Sequence, residues 1–353
     1  MSGNRKNGEY MNIDLHKRNQ VIIDGILQKE KKICPGAIAL IGIGGSFANG
    51  DWYEKSDLDL LLLINDERGW QLAEAFIQED LMVGHDIYCT TWESLEELVQ
   101  FRSPHMAKLL HSEIVYCADT AYRERLEALR AAAKVAKPSL DTIRNMLEDA
   151  KKHYTEAMLA ESISQVRLQA SGVLYYALDA LMLINGCYYK KGVRRCYEEL
   201  RALPIKPEHL IENIETVVRS QQTENIQKSL TKILQGITAL LPKVEPERAE
   251  NIQGTYEEMV SNWRNKMYLA AKEEDAYLSF VSMSGMAAML YEDCGRTEYD
   301  VMAGYDPEDL QKTAENYDEI LGEYHKEYDE QSIKTKIYPT VEAWAAEYTG
   351  GEQ

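Results

Sequence analysis

The sequence predicts an α/β N-terminal domain followed by an all-α C-terminal region. Two short apolar runs, 37–43 and 58–64, have the length of buried strands and enclose a glycine-rich turn. From about residue 105 onward, apolar residues recur at the spacing of amphipathic helices. This change of pattern and the break at Lys137-Pro138 place the boundary between the two parts near residue 137.

The N-terminal part predicts an alternation of helices and strands. The expected helices cover 12–32, 66–80 and 94–101, and the expected strands cover 37–43, 58–64 and 81–92. Pro35-Gly36 ends the first helix. Ser94, with Glu97 three residues later, predicts a capping box at the start of the third helix.

The C-terminal part predicts helices throughout. We expect them at 120–136, from Ser139 onward, and at 172–189, 207–222, 224–240, 254–275 and 277–353. The segment 172–189 is apolar almost all round, so it should be the core helix of its domain. A second break over 241–250 completes the predicted domains, which are 1–137, 138–245 and 246–353.

The charge balance argues against a nucleic-acid partner. The 353 residues include 58 acidic and 39 basic ones, for a net charge of −19. Affinity for a phosphate backbone comes largely from lysine and arginine, and no basic stripe is present. An acidic protein suits a cationic substrate, although solubility alone explains such a charge just as well.

The cysteines and the hydropathy predict a cytoplasmic protein without a membrane partner. None of the six cysteines forms a C-x-x-C pair, so neither a zinc site nor a disulfide framework is indicated. Residues 1–20 lack the apolar core of a signal peptide, and no apolar run approaches the length of a membrane span.

Two aspartates at the start of the second predicted strand are the first candidate site residues. Asp57 and Asp59 are two positions apart, so in a strand both side chains point to the same face. Leu58 and Leu60 then point to the other face, into the core. Two carboxylates so close repel each other without a cation, and oxygen ligands of this kind suit Mg²⁺.

The turn before these aspartates predicts a phosphate-binding element. Gly44, Gly45 and Ser46 leave the first strand and enter a short helix at Phe47. Glycine lets the backbone approach a ligand closely, and amides at a helix start bind phosphate oxygens. Asp86, flanked by apolar residues in the third strand, is the candidate third carboxylate. It would bind the metal ion nearer to an acceptor and help to deprotonate the acceptor hydroxyl.

The stretch GGSFANGDWYEKSDLDLLLLI, residues 44–64, resembles a known signature. Its glycine-serine turn and its D-x-D pair, 11 positions after Ser46, resemble the G-S-x(about ten)-D-x-D motif of the DNA polymerase β-like nucleotidyltransferase superfamily. The form found here is similar to that of small-molecule enzymes, including aminoglycoside and lincosamide adenylyltransferases. The resemblance covers residues 37–92.

The resemblance implies a short mixed sheet with helices, followed by a helical domain that closes the cleft. Gly45 and Ser46 would hold a triphosphate, Asp57 and Asp59 would bind two Mg²⁺ ions, and Asp86 would match the third acid of the family. ATP is the expected co-substrate. A hydroxyl of a small-molecule acceptor would attack the α-phosphorus in line while pyrophosphate leaves.

A basic cluster in the helical region supplies further candidates for nucleotide binding. Lys190 and Lys191, followed by Arg194 and Arg195, come directly after the apolar helix, and a lysine there could reach the triphosphate across the cleft. The competing interpretation is a solvated helix end, where basic side chains favour the helix dipole.

Three functions are compatible with these residues. The first is transfer of a nucleotide to a small-molecule hydroxyl, with an aminoglycoside-like acceptor and antibiotic resistance as the model. The second is a nucleotidyltransferase that modifies a protein, as in antitoxin-type members, although a 353-residue chain is long for that role. The third is a non-catalytic nucleotide-binding module, against which the retained aspartate pair argues.

Overall fold

The computed structural model describes residues 15–191, 195–243 and 245–350. It divides the chain into two compact units, Met1–Pro242 and Lys243–Gln353. The boundary predicted near residue 137 falls inside the first unit and stays a prediction. Residues 12–14 of the first predicted helix and Arg194 lie outside the described residues.

The described strands form two sheets, both in the first unit. They are β1 Ile38–Ile43, β2 Leu60–Ile64, β3 Glu74–Gln78, β4 Val83–Ile87, β5 Cys89–Thr91 and β6 Glu113–Cys117. The larger sheet has the order β5-β2-β1-β6. β2 and β5 are parallel, and the other two pairs are antiparallel. The predicted short mixed sheet is therefore confirmed, and β3 and β4 form a separate antiparallel hairpin.

The central strand β2 is buried on both faces, as its sequence LLLLI requires. Leu60, Leu62 and Ile64 pack into one core with residues of the first helix. Leu61 and Leu63 face a second core, which continues into the helical part of the same unit. Each buried leucine contributes about 1.5–3 kcal/mol, so this strand is a stable base for the two aspartates that precede it.

Helices cover the sheet and make up the rest of the first unit. They are α1 Leu15–Ile33, α2 Gly45–Asn49, α3 Trp92–Val99, α4 Ala107–His111, α5 Thr120–Val135, α6 Leu140–Leu159, α7 Ile163–Ile184, α8 Cys196–Ala202, α9 Leu210–Arg219 and α10 Thr223–Thr238. Ser139 caps α6 by accepting a hydrogen bond from the amide of Thr142. The predicted core helix is α7, which begins earlier than expected and is buried along much of its length.

Three local predictions in the N-terminal part differ from the structure. The expected helix over 66–80 is a 3₁₀ turn, Glu67–Leu72, followed by strand β3. Cross-strand pairing with β4 overrides the helical pattern there, because a short apolar run suits either structure. The third helix is capped by Thr91 rather than Ser94, since the Thr91 hydroxyl accepts from the Ser94 amide. The third expected strand is split into β4 and β5, which belong to different sheets.

The second unit is helical, as predicted. Its helices are α11 Thr255–Met259, α12 Asn265–Glu273, α13 Ala276–Ala288, α14 Leu310–Glu330 and α15 Val341–Tyr348, and a π turn, Val260–Arg264, joins α11 to α12. Its core is rich in methionine and tyrosine. Arg296 is buried there and donates to the Glu327 carboxylate at 3.1 Å, which satisfies its charge. None of the described helices is long and apolar enough to cross a membrane.

Candidate active site

The glycine-rich turn packs directly against the second aspartate. The Gly44 amide donates to the Asp59 carbonyl oxygen at 2.8 Å. Gly45 has φ +58°, and a Cβ atom there would lie 1.7 Å from Asp59 Oδ2. Only glycine allows both the left-handed conformation and this approach. The turn therefore brings the expected phosphate-binding amides beside the expected metal-binding carboxylate.

Asp57 and Asp59 share one face, although the strand begins only at Leu60. Their side chains are exposed, whereas Leu58 between them is buried, so the strand alternation extends back through these residues. Asp59 is exposed overall, but its carboxylate lies against the Gly45 turn and loses hydration there, which is the first cause of its raised pKa; the nearby negative charge of Asp57 is the second. The Ser46 amide, which donates to Asp59, opposes that shift. The two carboxylates thus lie close enough to repel each other.

Lys108 on α4 is a charged group of this region that the sequence analysis missed. Burial lowers the pKa of Lys108, and the negative charges of Asp59 and Asp86 oppose that lowering. Asp59 and Asp86 therefore both lie near its ammonium group. The only sequence signal is a lysine set between the apolar residues Met106 and Leu109, which by itself assigns no role.

Asp86 occupies the exposed side of β4. It alternates with the buried residues His85 and Ile87, so its side chain is open to solvent although its neighbours in the chain are buried. His85 lies in the interior, stacked on Phe76 with ring centroids 4.9 Å apart. The electrostatic effect of Asp86 on Lys108 places it at the edge of the same cluster. Its role as a third ligand stays a prediction.

A cavity of about 520 Å³ opens beside this cluster and is lined from both parts of the first unit. The sheet side contributes Gly44, Gly45, Asn49, Asp59, His105, Ala107 and Lys108. The helical side contributes Leu174, Tyr175, Leu178, Asp179, Tyr189, Lys190, Lys191 and Cys196. Lys190 and Lys191, the basic candidates from the sequence, thus line the same cavity as Gly45 and Asp59. A volume of this size fits a small-molecule ligand.

The loop that carries the two lysines is tied to the glycine-rich turn. Asn49 at the end of α2 donates its amide to the Lys190 carbonyl at 2.9 Å. Arg195 forms a bidentate pair with Asp51, with both N–O distances at 2.9 Å. Glu199 accepts from the Lys190 amide and so fixes the loop from the other side. The basic loop is therefore fixed where Lys190 and Lys191 line the cavity.

Comparison with known protein families matches the two parts of this unit. Residues 22–130 match the nucleotidyltransferase domain, and residues 121–245 match the KNTase C-terminal domain. The first unit thus carries two domains of the DNA polymerase β-like nucleotidyltransferase superfamily. The family resemblance predicted from residues 44–64 is confirmed.

Comparison with solved structures gives a more distant match, and comparison with curated proteins gives none. A solved structure of a nucleotidyltransferase-like protein from Exiguobacterium sibiricum is similar at 11% identity. The match covers 77% of this chain and 90% of that chain, with a TM-score of 0.35, which is too low to carry an argument. No curated protein matches the chain.

The aspartates of the nucleotidyltransferase domain fit Mg²⁺ as a pair. Within the described residues, no group of three or more His, Cys, Asp or Glu side chains is arranged to hold a metal ion. Asp57 and Asp59 repel each other beside a glycine turn that approaches Asp59 closely, which is a position that favours a hard cation. Mg²⁺ is commonly bound by one or two carboxylates together with substrate phosphates. Asp57 and Asp59 would therefore hold Mg²⁺ together with oxygens that a triphosphate supplies.

Replacing Arg195 with lysine tests how the basic loop is held beside the cavity. Lysine keeps the charge but loses the bidentate fork to Asp51, so the loop should open more often. We expect hydrogen exchange of the Lys190 and Lys191 amides to become about two- to fivefold faster, the range of a partly exposed ion pair. Mass spectrometry of exchanged peptides measures the rate.

The matched control for Arg195→Lys is Arg201→Lys. Arg201 makes an exposed contact to Glu215 at 3.5 Å and lies over the Tyr197 ring, and neither partner belongs to the loop, so that variant should leave loop exchange unchanged. Equal exchange rates in all three proteins would show that the Arg195–Asp51 pair does not hold the loop.

Proposed function

We propose that the chain transfers a nucleoside monophosphate, AMP from ATP, to a hydroxyl group of a small molecule, and that it requires Mg²⁺ with two ions at the site. The observation that carries this proposal is the contact between Gly45 and the Asp59 carboxylate, which lies at one wall of a cavity lined on the other wall by the helical part. One site then combines the phosphate-binding amides of the Gly44–Ser46 turn, the Asp57 and Asp59 pair, and a cavity that can hold the acceptor.

Each part of the site has a role in the proposed transfer. The amides of the Gly44–Ser46 turn hold the phosphate oxygens. Lys108, which also lines the cavity, offsets the negative charge of those oxygens. Bound Mg²⁺ supplies charge neutralisation on the triphosphate. The helical wall orients the acceptor so that its oxygen attacks the α-phosphorus as the bond to pyrophosphate breaks.

The size of the cavity favours a small-molecule acceptor over a protein substrate. A volume of about 520 Å³ lies in the range of small-molecule sites. The matched C-terminal family, named for KNTase, makes aminoglycosides the first compounds to test and antibiotic resistance the biological setting.

The experiment that tests the proposal measures label transfer from [α-³²P]ATP to acceptors in the presence of Mg²⁺. The panel starts with aminoglycosides and lincosamides and includes neutral polyols. A labelled acceptor with release of pyrophosphate supports the proposal. Label found on a protein, or on no compound while ATP stays intact, contradicts it.

Replacing Lys108 with methionine should weaken nucleotide binding. Methionine fills a similar space but removes the ammonium group that faces Asp59 and Asp86. A charge-assisted contact to phosphate contributes about 1.5–3 kcal/mol, so the Kd for MgATP should rise about 10- to 100-fold. Calorimetric titration measures it. Lys134→Met, on the exposed end of α5, is the control and should bind like the wild type. An unchanged Kd for Lys108→Met would remove Lys108 from the site.

A further inference from the structure

We propose that His105 takes the proton from the acceptor hydroxyl, and that Asp179 holds the imidazole of His105 in position for this step. The proposal deepens the proposed function and rests on it. From the sequence, Asp86 was the residue expected to help deprotonate the acceptor hydroxyl. The structure instead offers a histidine paired with a buried carboxylate on the opposite wall of the same cavity.

Asp179 is an unexpected residue for its position in the fold. It lies in the most apolar helix of the first unit, α7, and is only 4% exposed. An ionised carboxylate at such a place is costly unless it is paired. Its Oδ2 lies 2.9 Å from His105 Nε2. The histidine ring is 46% exposed, so the pair joins a buried anion to an open cavity.

Aromatic rings fix the orientation of the imidazole. The His105 ring stacks on Tyr175 with centroids 5.9 Å apart and an angle of 10°. It stacks on Tyr189 at 5.2 Å and 27°. Burial raises the pKa of Tyr189 first, and nearby Asp179, to which its hydroxyl is also hydrogen-bonded, raises it further. The Tyr189 amide donates to the Pro104 carbonyl at 2.9 Å, next to His105 in the chain. Three contacts, to Tyr175, Tyr189 and Asp179, thus hold the His105 ring in place, and the backbone bond to Pro104 fixes Tyr189 beside it.

This arrangement determines which nitrogen of His105 can accept a proton. The carboxylate of Asp179 accepts a hydrogen bond from Nε2, so Nε2 carries the proton of the neutral ring. Nδ1 then keeps the lone pair that a general base requires. A buried carboxylate behind the ring also stabilises the imidazolium that forms when Nδ1 takes up a proton.

The proposed step balances as follows. The O–H bond of the acceptor breaks, and its proton moves to Nδ1 of His105. The oxygen forms a bond to the α-phosphorus, while the bond from that phosphorus to the bridging oxygen breaks and pyrophosphate leaves with the electron pair. His105 then releases the proton to solvent. The net reaction is alcohol plus ATP giving the AMP ester, pyrophosphate and one proton.

The experiment uses the full chain and three variants, His105→Ala, Asp179→Asn and the control His111→Ala. His111 lies on α4, is exposed and bonds the Tyr188 hydroxyl outside the cavity lining. Two quantities are measured for each protein. The first is the Kd for MgATP by calorimetry. The second is the rate of pyrophosphate release, with a high concentration of glycerol as the hydroxyl probe and with water alone.

The proposal predicts a separation between binding and chemistry. All three variants should bind MgATP within about twofold of the wild type, since the proposed role of His105 is to act on the acceptor and not to hold the triphosphate. His105→Ala should release pyrophosphate about 10²–10⁴-fold more slowly, the usual contribution of a general base. Free imidazole should restore part of that rate, which a merely structural defect would not allow. Asp179→Asn should lower kcat while leaving the KM for glycerol unchanged, because it misorients the base.

Several results would overturn the proposal. Wild-type rates in His105→Ala, an equal loss in His111→Ala, or a loss that imidazole does not restore would each remove His105 as the base. A wild-type protein that binds MgATP yet releases no pyrophosphate to glycerol or water would do the same, because a base in an open cavity should act on both. Failure of the wild type to bind any Mg-nucleotide would instead contradict the proposed function.

Discussion

The Asp59→Asn variant should lose nucleotidyl transfer and, at neutral pH, unfold at a higher temperature than the wild type. Transfer should fall by at least about 10²–10³-fold, the loss expected when one preorganised charged group at the reacting centre is removed. Stability should rise because the raised pKa of Asp59 shows that its ionised form is disfavoured in the folded state, first by burial and then by Asp57. The same residue therefore serves function at a cost in stability.

The pH dependence of this effect has a definite sign. A carboxyl group whose pKa is raised on folding destabilises the fold at pH values above that raised pKa, where it is ionised in both states. The destabilisation disappears below the unfolded value of about 3.9. The gain in unfolding temperature of Asp59→Asn over the wild type should thus be present at pH 7 and absent near pH 3.5. Thermal unfolding followed by circular dichroism at both pH values measures it.

Asp80→Asn is the matched control for Asp59→Asn. Asp80 is exposed in the turn between β3 and β4, so the same change of carboxylate to amide there should alter neither transfer nor unfolding. A fall in unfolding temperature for Asp59→Asn at pH 7 would contradict the assignment of Asp59 as a strained site residue.

Replacing Gly45 with alanine should disable the site by a different route. The new methyl group would lie 1.7 Å from Asp59 Oδ2, which is far too close for two atoms that are not bonded to each other. The carboxylate or the turn must therefore move. We expect the Kd for MgATP to rise and transfer to fall at least about 10²-fold, as when a reacting group is misplaced by about 1 Å. Calorimetry and the label-transfer assay measure the two effects.

Gly50→Ala separates the clash at Gly45 from backbone strain. Gly50 also has a positive φ, +68°, but an added Cβ there would have no atom within 4 Å. Its cost should be only the conformational penalty of about 1–2 kcal/mol in stability, with transfer largely kept. Equal losses of transfer in the two variants would show that backbone conformation, and not the approach to Asp59, determines activity.

The sequence was sufficient for the parts of the site that depend on local pattern. The apolar run at β2 and the two aspartates before it follow from strand alternation, and the glycine turn follows from the need for close backbone approach. These features are local, since each is determined by residues within about 20 positions of one another.

The residues that sequence reasoning missed are those brought in by tertiary contacts. Lys108 lies on α4, His105 in the turn before α4, and Asp179 on α7. They line one cavity only because these elements pack together in the fold. A lone lysine, histidine or aspartate in a helix has no periodic signature. The β3–β4 hairpin was missed for a related reason, because its pairing partner and not its own pattern determines its structure.

Calorimetric titration of the wild type with ATP, GTP, CTP and UTP, with and without Mg²⁺, tests the central claim most directly. The same titration is repeated on the Asp57→Asn/Asp59→Asn double variant. The proposed site predicts Mg²⁺-dependent binding of ATP to the wild type and its loss in the double variant, with the fold of both proteins intact by circular dichroism. Binding that is equal in the two proteins, or no binding to the wild type by any of the four nucleotides, would contradict it.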